Sequence, residues 1–511
     1  MTAGKSAQVR AQLKHPIVDG DGHWLETQPI FKDYLAQVAG PAMVDRFEAT
    51  LGNAAGYSGY RLTLEERMRT RVRRQAWWGW PSRTRDRAAV LVPAVFADSL
   101  DEWGIDVALL YPTLGFLLTA IIKEGDLRQA VLRSYNVMVA DMFGPHGDRL
   151  IAAGVVSLDS PGEAIEQLEQ AHALGLKMVV SNGTSQRPIE ADADVVPNAA
   201  KRRFYYDGYG LDSPYDYDRV WQRFIDLKMA LTVHTGTMGW PDRSSPTNFV
   251  FNHMGHFAQS HHLTARSLFM GGVTDRFPKL NVGFLEGGVG WACNLYGDIF
   301  GHWNKRNKEA MARNLMPTRL DKAALRELMV RFAGDRKPFA GRIDQILDNN
   351  LDVIEPGLSQ EDLTARDIDS DDYSHVRIRG ESDIRRLFAN NFYFGCEADD
   401  PMTTVAFNEK LGLRLKTLLG SDIGHFDVVD ATEVIEEAWE MVEHGFISRA
   451  NFREFTFENA VALHGGMNPD FFKGTVIEEA AAQELAQRPG KARIGTAKKA
   501  ASKRKAVKRS R

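Results

Sequence analysis

The sequence predicts an α/β fold of the TIM type, a (β/α)8 barrel of parallel strands with a helix after each strand. Short apolar runs rich in β-branched residues alternate with segments of helical pattern, which is typical of parallel strands joined by crossover helices. Eight runs close such a barrel, and 511 residues leave room for insertions. The predicted strands are residues 17–19, 107–112, 149–158, 176–182, 230–236, 281–288, 391–399 and 415–422.

Two of the intervening helices carry start and stop signals. Ser160 is placed as an N-cap, with Glu163 three residues later to complete a capping box, and Gly175 can end that helix. Residues 430–433 repeat the arrangement after the eighth strand, with Gly445 as the stop signal. Both helices are therefore predicted where a barrel requires them.

Residues 15–475 are predicted to form the barrel, with helical insertions at about 43–93 and 305–390. The first insertion contains Trp77, Trp78 and Trp80, which would favour an apolar or aromatic substrate if they cover the barrel mouth, or could instead pack the insertion on the barrel. The second is predicted to be helical near residues 322–332. It also contains the acidic patch Asp367, Asp369, Asp371 and Asp372.

Charge and cysteine content restrict the class of protein. Ten residues between Lys491 and Arg511 are basic and none is acidic, while the whole chain has a formal charge of -4, so the body is acidic. Residues 476–511 are predicted to be a disordered Ala/Lys-rich tail, which predicts no sequence-specific contact with nucleic acid. Two cysteines, Cys293 and Cys396, and the absence of an apolar leader or membrane-length segment predict a cytoplasmic location.

Polar residues end four of the predicted strands, at the barrel face where catalytic groups of this fold lie. Asp19, Asp21 and His23 follow strand one, and His234 follows strand five. Strand six ends at Glu286 and strand eight at Asp422, so each of the four strands supplies a carboxylate or an imidazole.

These residue types predict a metal site. Asp21 and His23 are two residues apart in an extended segment, so both side chains project to the same side. With His234 and Asp422 they would form an open site for a divalent ion, Zn or else Fe or Mn, with room for water. Taken singly, Asp19 or Asp21 could be a turn residue, His234 a core histidine, and Asp422 a cap.

The strand-end motifs resemble those of the amidohydrolase superfamily, in particular the amidohydrolase-related (family 2) branch that includes aminocarboxymuconate-semialdehyde decarboxylase and γ-resorcylate decarboxylase. The resemblance covers about residues 16–474. It is carried by the segments 18–23, 110–113, 233–236, 286–291, 420–425 and 458–460.

The resemblance implies metal ligands at Asp21, His23, His234 and Asp422, and it implies an orienting role for His425 beside Asp422. Three positions depart from the family pattern, the first being Asp21, which stands where other members place a His or Glu. Gly424 replaces a usual proline, and Glu286 stands where the decarboxylases have an acid/base histidine. Glu286, Asp422 and His425 are therefore the candidate catalytic residues, and Glu286 is also a candidate ligand.

Four histidines in residues 251–262 raise the prospect of a second ion. His253 and His256 are spaced for one helical face, and His262 lies about one and a half turns further on. A polar surface helix accounts for them equally well. Otherwise one or two of them, His262 in particular, would bind a second metal or the substrate together with Glu286 or Asp19.

The main functional prediction is a metal-dependent hydrolase of a small organic amide, ester or carboxylate that uses metal-activated water. The alternatives are a non-oxidative decarboxylase of an aromatic or unsaturated acid, a dinuclear Fe/Mn oxygenase, and a non-catalytic barrel subunit. The expected partners are a small-molecule substrate and either a second copy of the chain, as a dimer, or a related barrel subunit.

Overall fold

A computed structural model describes residues 4–53, 61–73, 78–189, 204–235, 244–348, 371–412 and 414–488. It contains eleven strands in these ranges. They are β1 (Val18–Trp24), β2 (Val107–Pro112), β3 (Leu150–Ala152), β4 (Gly154–Val155), β5 (Val179–Asn182), β6 (Ser185–Pro188), β7 (Phe204–Asp207), β8 (Leu231–His234), β9 (Val282–Phe284), β10 (Phe392–Cys396) and β11 (Lys416–Leu419).

Nine of these strands form a closed parallel barrel. One sheet has the order β1-β2-β3 and another the order β11-β10-β9-β8-β5-β4. The two sheets join at Ala153, because β3 and β4 are two halves of one barrel strand: Ala153 N donates to Leu110 O and Gly154 N donates to Met178 O. On the other side His23 N donates to Ile423 O, at 2.8 Å, beside the end of β11. The predicted eight-stranded TIM-type barrel is therefore confirmed, with a predicted run at each of its strands.

Helices cover the outside of the barrel and its two ends. They are Lys5–Gln12, Gln28–Ala39, Pro41–Asn53, Leu64–Thr70, Thr84–Leu91, Pro93–Trp103, Gly115–Ile121, Gly125–Phe143, Pro161–Ala173, Asp218–Asp226, Phe249–His253, His256–Met270, Val273–Arg276, Gly290–Arg306, Lys308–Asn314, Lys322–Ala333, Ile343–Asp348, Glu381–Ala389, Thr403–Ala406, Val434–Glu443, Arg449–Arg453, Asn459–His464 and Glu478–Gln487, with a π-helical turn at Glu454–Glu458. Among the described residues, no helix combines the length and the apolar character needed to span a lipid bilayer.

The barrel strands are buried because helices cover their outward faces and side chains fill the interior. All six residues of β2 are buried. Between β9 and β10 the rings of Phe284 and Phe394 stack with centroids 5.9 Å apart, and Phe392 meets Phe284 edge-on at 5.2 Å. This aromatic packing fixes the strands from which the polar side chains of the mouth project.

The helix signals were only partly correct. Ser160 caps Pro161–Ala173 by accepting from Glu163 N, but the Glu163 carboxylate accepts from Arg128 Nε and Nη2, both at 2.8 Å, so no capping box forms. After β11 the predicted cap is wrong, since residues 431–433 form a turn and the helix begins only at Val434. A buried ion pair and a tertiary turn thus override the local pattern.

Both insertions contain helices among the residues that the structure describes. The helix expected near residues 322–332 is present as Lys322–Ala333. The predicted tail starts too early, because Glu478–Gln487 forms a helix that buries Ala481. Trp77, Asp367, Asp369 and residues 489–511 lie outside the described residues. The antiparallel pair β6 and β7, which follows β5, was not predicted.

Candidate metal centre

The C-terminal ends of three barrel strands bring two imidazoles and two carboxylates together. Asp21 and His23 come from β1, His234 from the end of β8 and Glu286 from just after β9, and one donor atom of each lies within 4.8 Å of the others. His23 Nε2 is 3.6 Å from Asp21 Oδ1 and 3.7 Å from Glu286 Oε2. His234 Nε2 is 2.8 Å from Glu286 Oε2.

Asp422 adds a third carboxylate next to these four residues, which we call the inner donors. Its Oδ1 lies 3.5 Å from His23 Nε2, and a second group of donors within 4.8 Å joins His23 and Glu286 to Asp422 and His425. The residues predicted at the ends of strands one, five, six and eight therefore converge on one point.

The donor set fits a divalent cation. The side chains of Asp21, His23 and Glu286 are 2% exposed or less. Yet Asp21 Oδ1, His23 Nε2, Glu286 Oε2 and Asp422 Oδ2 have no hydrogen-bond partner. Leaving buried polar atoms unpaired costs free energy, and a metal ion held by carboxylates and imidazoles removes that cost. The ring of His234 is oriented for this role, because its Nδ1 lies 3.3 Å from Thr235 O and can donate there, leaving Nε2 as the lone-pair atom.

Unusual backbone geometry aims two of the carboxylates. Glu286 has φ 54° and Asp422 has φ 52°, both in the left-handed region that residues with a side chain rarely adopt. A register irregularity in β1 between Asp19 and Gly22 turns the intervening Asp21 toward the same point. Two of the six residues other than glycine that have positive φ in the described part of the chain therefore carry carboxylates of the centre.

Asp19 is buried behind the inner donors and links β1 to the segment after β11. Its Oδ1 accepts from Ser421 N at 2.9 Å and from Asp21 N at 3.2 Å, while its Oδ2 accepts from Ser421 Oγ at 2.7 Å. It belongs to neither group of candidate ligands that contains Asp21 or Asp422. In the structure Asp19 holds the backbone around Asp21 and Asp422 in place.

His425 stands at the opening of the centre, where its side chain is 14% exposed. Its Nδ1 donates to Asp422 Oδ1 at 2.6 Å, and its Nε2 lies 3.3 Å from Thr113 Oγ1. Thr113 Oγ1 itself donates to Trp24 O, so its lone pairs can accept from His425. The Asp422–His425 pair is therefore fixed at both ring nitrogens.

The pKa values at the centre are shifted because several carboxylates are buried close to one another. Burial first, and then the charges of Asp422 and Asp19, hold the pKa of Asp21 well above its usual range. Burial and the charges of Asp422 and Asp21 do the same to the pKa of Glu286. Burial lowers the pKa of His425, but the charge and hydrogen bond of Asp422 outweigh it and the net pKa is raised.

The prediction for the four histidines of residues 251–262 was wrong in its geometry. Gly255, with φ 73°, separates the helices Phe249–His253 and His256–Met270, so His253 and His256 do not share a helix. His262 is turned away from the donors and faces Trp291, with ring centroids 6.4 Å apart. His261 is buried in the fold, with Nε2 2.6 Å from Leu285 O. Only His253 lies near the centre, in a third group of donors with Glu286 and Asp427.

Several residues at the centre were missed by the sequence analysis. Thr113 directly follows β2, so the strand-end rule that selected Asp21 could have selected it. Glu26 is buried and accepts from Tyr135 Oη at 2.6 Å and from Gly115 N at 2.9 Å, which fixes the segment after β2. Asp427 lies beyond the strand ends, on a connecting segment whose path carries no sequence signal.

Comparison with protein-family models gives one match. Residues 98–319 match the family model described as amidohydrolase, a range that contains His234 and Glu286. Over these residues the predicted resemblance to the amidohydrolase superfamily is confirmed. A search of curated proteins finds no match.

Solved structures with a similar fold cover nearly the whole chain. An amidohydrolase from Mycobacterium avium subsp. paratuberculosis K-10 is 17% identical, with 89% of this chain and 100% of that chain covered and a TM-score of 0.49. A 2,6-dihydroxybenzoate decarboxylase from Rhizobium is 15% identical over 88% and 98%, with a TM-score of 0.43. A manganese-bound 5-carboxyvanillate decarboxylase from Novosphingobium aromaticivorans DSM 12444 is 14% identical over 89% and 97%, with a TM-score of 0.47.

Removing an inner donor should abolish metal binding. We expect Asp21→Ala and His234→Ala to lose the stabilisation that Mn²⁺ or Zn²⁺ gives the wild type, which is about 2.7 kcal/mol at an ion concentration of 100 times Kd. The stabilisation by the ion is measured as the difference in thermal unfolding with and without the ion. His262→Ala is the matched control and should respond like the wild type; equal loss of binding in His262→Ala would contradict the assignment.

The stabilisation by metal should grow with pH. Because the pKa values of Asp21 and Glu286 are raised, the metal-free folded protein holds protons that the unfolded chain has already lost, so its stability falls as pH rises toward those pKa values. An ion must displace the same protons, so its affinity rises with pH. We expect the Mn²⁺-induced shift in Tm to be larger at pH 8 than at pH 5.5, and a shift independent of pH would contradict the assignment.

Gly424 should not tolerate a side chain. It has φ 124°, and a Cβ atom there would lie 2.9 Å from His23 O and 3.0 Å from His23 Cβ. Gly424→Ala should therefore cost about 1–3 kcal/mol of stability and weaken Mn²⁺ binding by moving His23. Gly301→Ala is the control, because no atom lies within 4 Å of a Cβ atom at that helical position. Wild-type Tm and Mn²⁺ affinity in Gly424→Ala would show that His23 is not constrained in this way.

Proposed function

We propose that the chain is a metal-dependent hydrolase of a small organic amide or ester. The observation that carries the proposal is the state of Asp422: its Oδ1 accepts from His425 and lies 3.5 Å from His23 Nε2, while its buried Oδ2 has no hydrogen-bond partner. A carboxylate oxygen so placed can accept a proton from a water molecule at the centre.

The residues divide into those that would hold an ion and those that move protons. Asp21, His23, His234 and Glu286 would hold a divalent ion, and both Mn²⁺ and Zn²⁺ suit their oxygen and nitrogen donors. A bound ion would lower the pKa of a water molecule and polarise the substrate carbonyl. Asp422 Oδ2 would accept a proton from the attacking water and return it to the leaving group as the bond between the carbonyl carbon and that group breaks.

His425 orients the base. Its hydrogen bond to Asp422 Oδ1 fixes the carboxylate and leaves Oδ2 as the oxygen without a partner, and Thr113 limits rotation of the imidazole ring. Trp80 lies on the solvent side, with its ring centroid 6.3 Å from that of His425, and shields this pair from water.

Decarboxylation of an aromatic acid is the second candidate. His425 favours it, because a histidine with a raised pKa can donate a proton to carbon. Against it, Glu286 occupies the strand-six position and approaches His234 as a potential ligand, and the centre is rich in carboxylates that would repel an acid. Hydrolysis therefore suits the donor set better.

A substrate panel separates the two candidates. We expect Mn²⁺- or Zn²⁺-loaded protein to hydrolyse aryl esters or anilides, measured as released phenol or aniline. It should release no CO2 from 2,6-dihydroxybenzoate or 5-carboxyvanillate. CO2 release without ester or amide hydrolysis would overturn the hydrolase proposal in favour of the decarboxylase.

Loss of the base should affect turnover and not metal content. Asp422→Asn should lower kcat by about 10²–10⁴-fold, the usual contribution of a general base, while KM changes little. The measurement pairs kcat with the amount of bound ion per chain. Full turnover in Asp422→Asn would exclude this residue as the base.

A further inference from the structure

Two acidic residues lie outside the inner donors, on the rim of the barrel mouth. Glu397 follows β10, and Asp427 lies between His425 and the helix Val434–Glu443. We call Glu397 and Asp427, together with His253, Phe249 and Phe426, the outer rim. Asp427 Oδ2 is 4.0 Å from His253 Nε2, and a donor atom of Glu286 lies within 4.8 Å of both residues.

Aromatic rings form the walls of the outer rim. His253 stacks on Phe249 with centroids 5.7 Å apart and meets Phe426 at 5.1 Å. Phe249 also contacts Phe426 at 5.5 Å and Trp78 at 5.4 Å. Trp78 and Trp80 therefore lie at the mouth, which agrees with the interpretation that the tryptophans of the first insertion cover it.

The outer rim carries carboxylates that lack a lysine or arginine partner, although the charge of His425 acts on Asp427. Neither Glu397 nor Asp427 pairs with a lysine or arginine anywhere in the part of the chain that the structure describes, and both reach solvent. Their charges add to those of Asp21, Glu286 and Asp422, which act on the same space. The carboxylates of the rim and of the centre therefore repel one another, and a cation placed among them relieves that repulsion.

Glu286 supplies a second sign that a cation belongs here. Its side chain is 2% exposed, its Oε2 has no hydrogen-bond partner, and one of its carboxylate oxygens lies within 4.8 Å of donor atoms of both His253 and Asp427. The rim is thus continuous with the metal centre, and its negative potential extends to the place where a substrate bound at the centre would project.

The character of the walls distinguishes between kinds of cation. A metal ion requires a shell of polar ligands or water, whereas an organic ammonium group is bound best by aromatic faces combined with carboxylates. Phe249, Phe426 and Trp78 form an aromatic wall beside Asp427. We propose that the outer rim binds a cationic nitrogen of the substrate, so that the enzyme acts on amides or esters bearing an ammonium group next to an apolar or aryl group.

This inference rests on the proposed function, because the cationic group is taken to be part of a substrate. Binding measurements alone can nevertheless test whether the outer rim binds a cation. Isothermal titration of the metal-loaded full chain with benzyltrimethylammonium, and separately with benzyl alcohol, compares a cationic probe with a neutral one. We expect the cation to bind at least about tenfold more tightly, a difference that corresponds to about 1.4 kcal/mol. Equal affinities, or tighter binding of benzyl alcohol, would overturn the inference.

Neutral variants identify the residues responsible. Asp427→Asn combined with Glu397→Gln should remove the preference for the cation and leave the affinity for benzyl alcohol unchanged. Glu479→Gln, an exposed carboxylate on the helix Glu478–Gln487, is the matched control and should keep the preference. A preference that survives in the double variant would show that the outer rim is not the binding site.

Metal content of the same samples separates this inference from its alternatives. One ion per chain in both the wild type and the double variant is expected. Two ions in the wild type and one in the double variant would show that the rim holds a second metal, which would overturn the inference. Selective binding of the ammonium probe to a protein that binds no metal would instead sustain the inference while refuting the proposed function.

Discussion

The buried carboxylates of the barrel mouth impose the constraint on which the site depends. Asp21, Glu286 and Asp422 are held close together with little water around them, so the pKa values of Asp21 and Glu286 are strongly raised. Carboxylates that are crowded together in a poorly solvated space are stable only when they are protonated or when a cation lies between them. The unpaired atoms of His23 and Glu286 point to a cation, and the rest of the mouth is organised around that requirement.

The barrel meets the constraint through its backbone. Parallel strands deliver their C-terminal ends to one face, and Asp19 ties the end of β1 to the end of β11 through Ser421. Left-handed conformations at Glu286 and Asp422 then turn two carboxylates inward. Such conformations cost free energy. The buried strands and aromatic packing of the surrounding barrel stabilise the fold enough to offset that cost.

Strand ends are the part of this architecture that a sequence can predict. Asp21, His23, His234, Glu286 and Asp422 each follow an apolar run, and all five lie at the predicted face. Residues placed by tertiary contacts were not predictable in this way. The Glu163 side chain binds Arg128 and so completes no capping box. Gly255 interrupts the helix that was predicted to carry both His253 and His262. Asp427 approaches His253 from a segment that has no hydrophobic periodicity.

The central claim is that two imidazoles and a group of carboxylates share one divalent ion. X-ray absorption spectroscopy on the Mn²⁺- or Zn²⁺-loaded protein examines that ion directly, because imidazole rings give characteristic outer-shell scattering. We expect a first shell of oxygen and nitrogen only. It should contain two imidazoles in the wild type and one in His234→Ala. A first shell containing sulfur, or a spectrum without imidazole, would place the ion elsewhere and contradict the account.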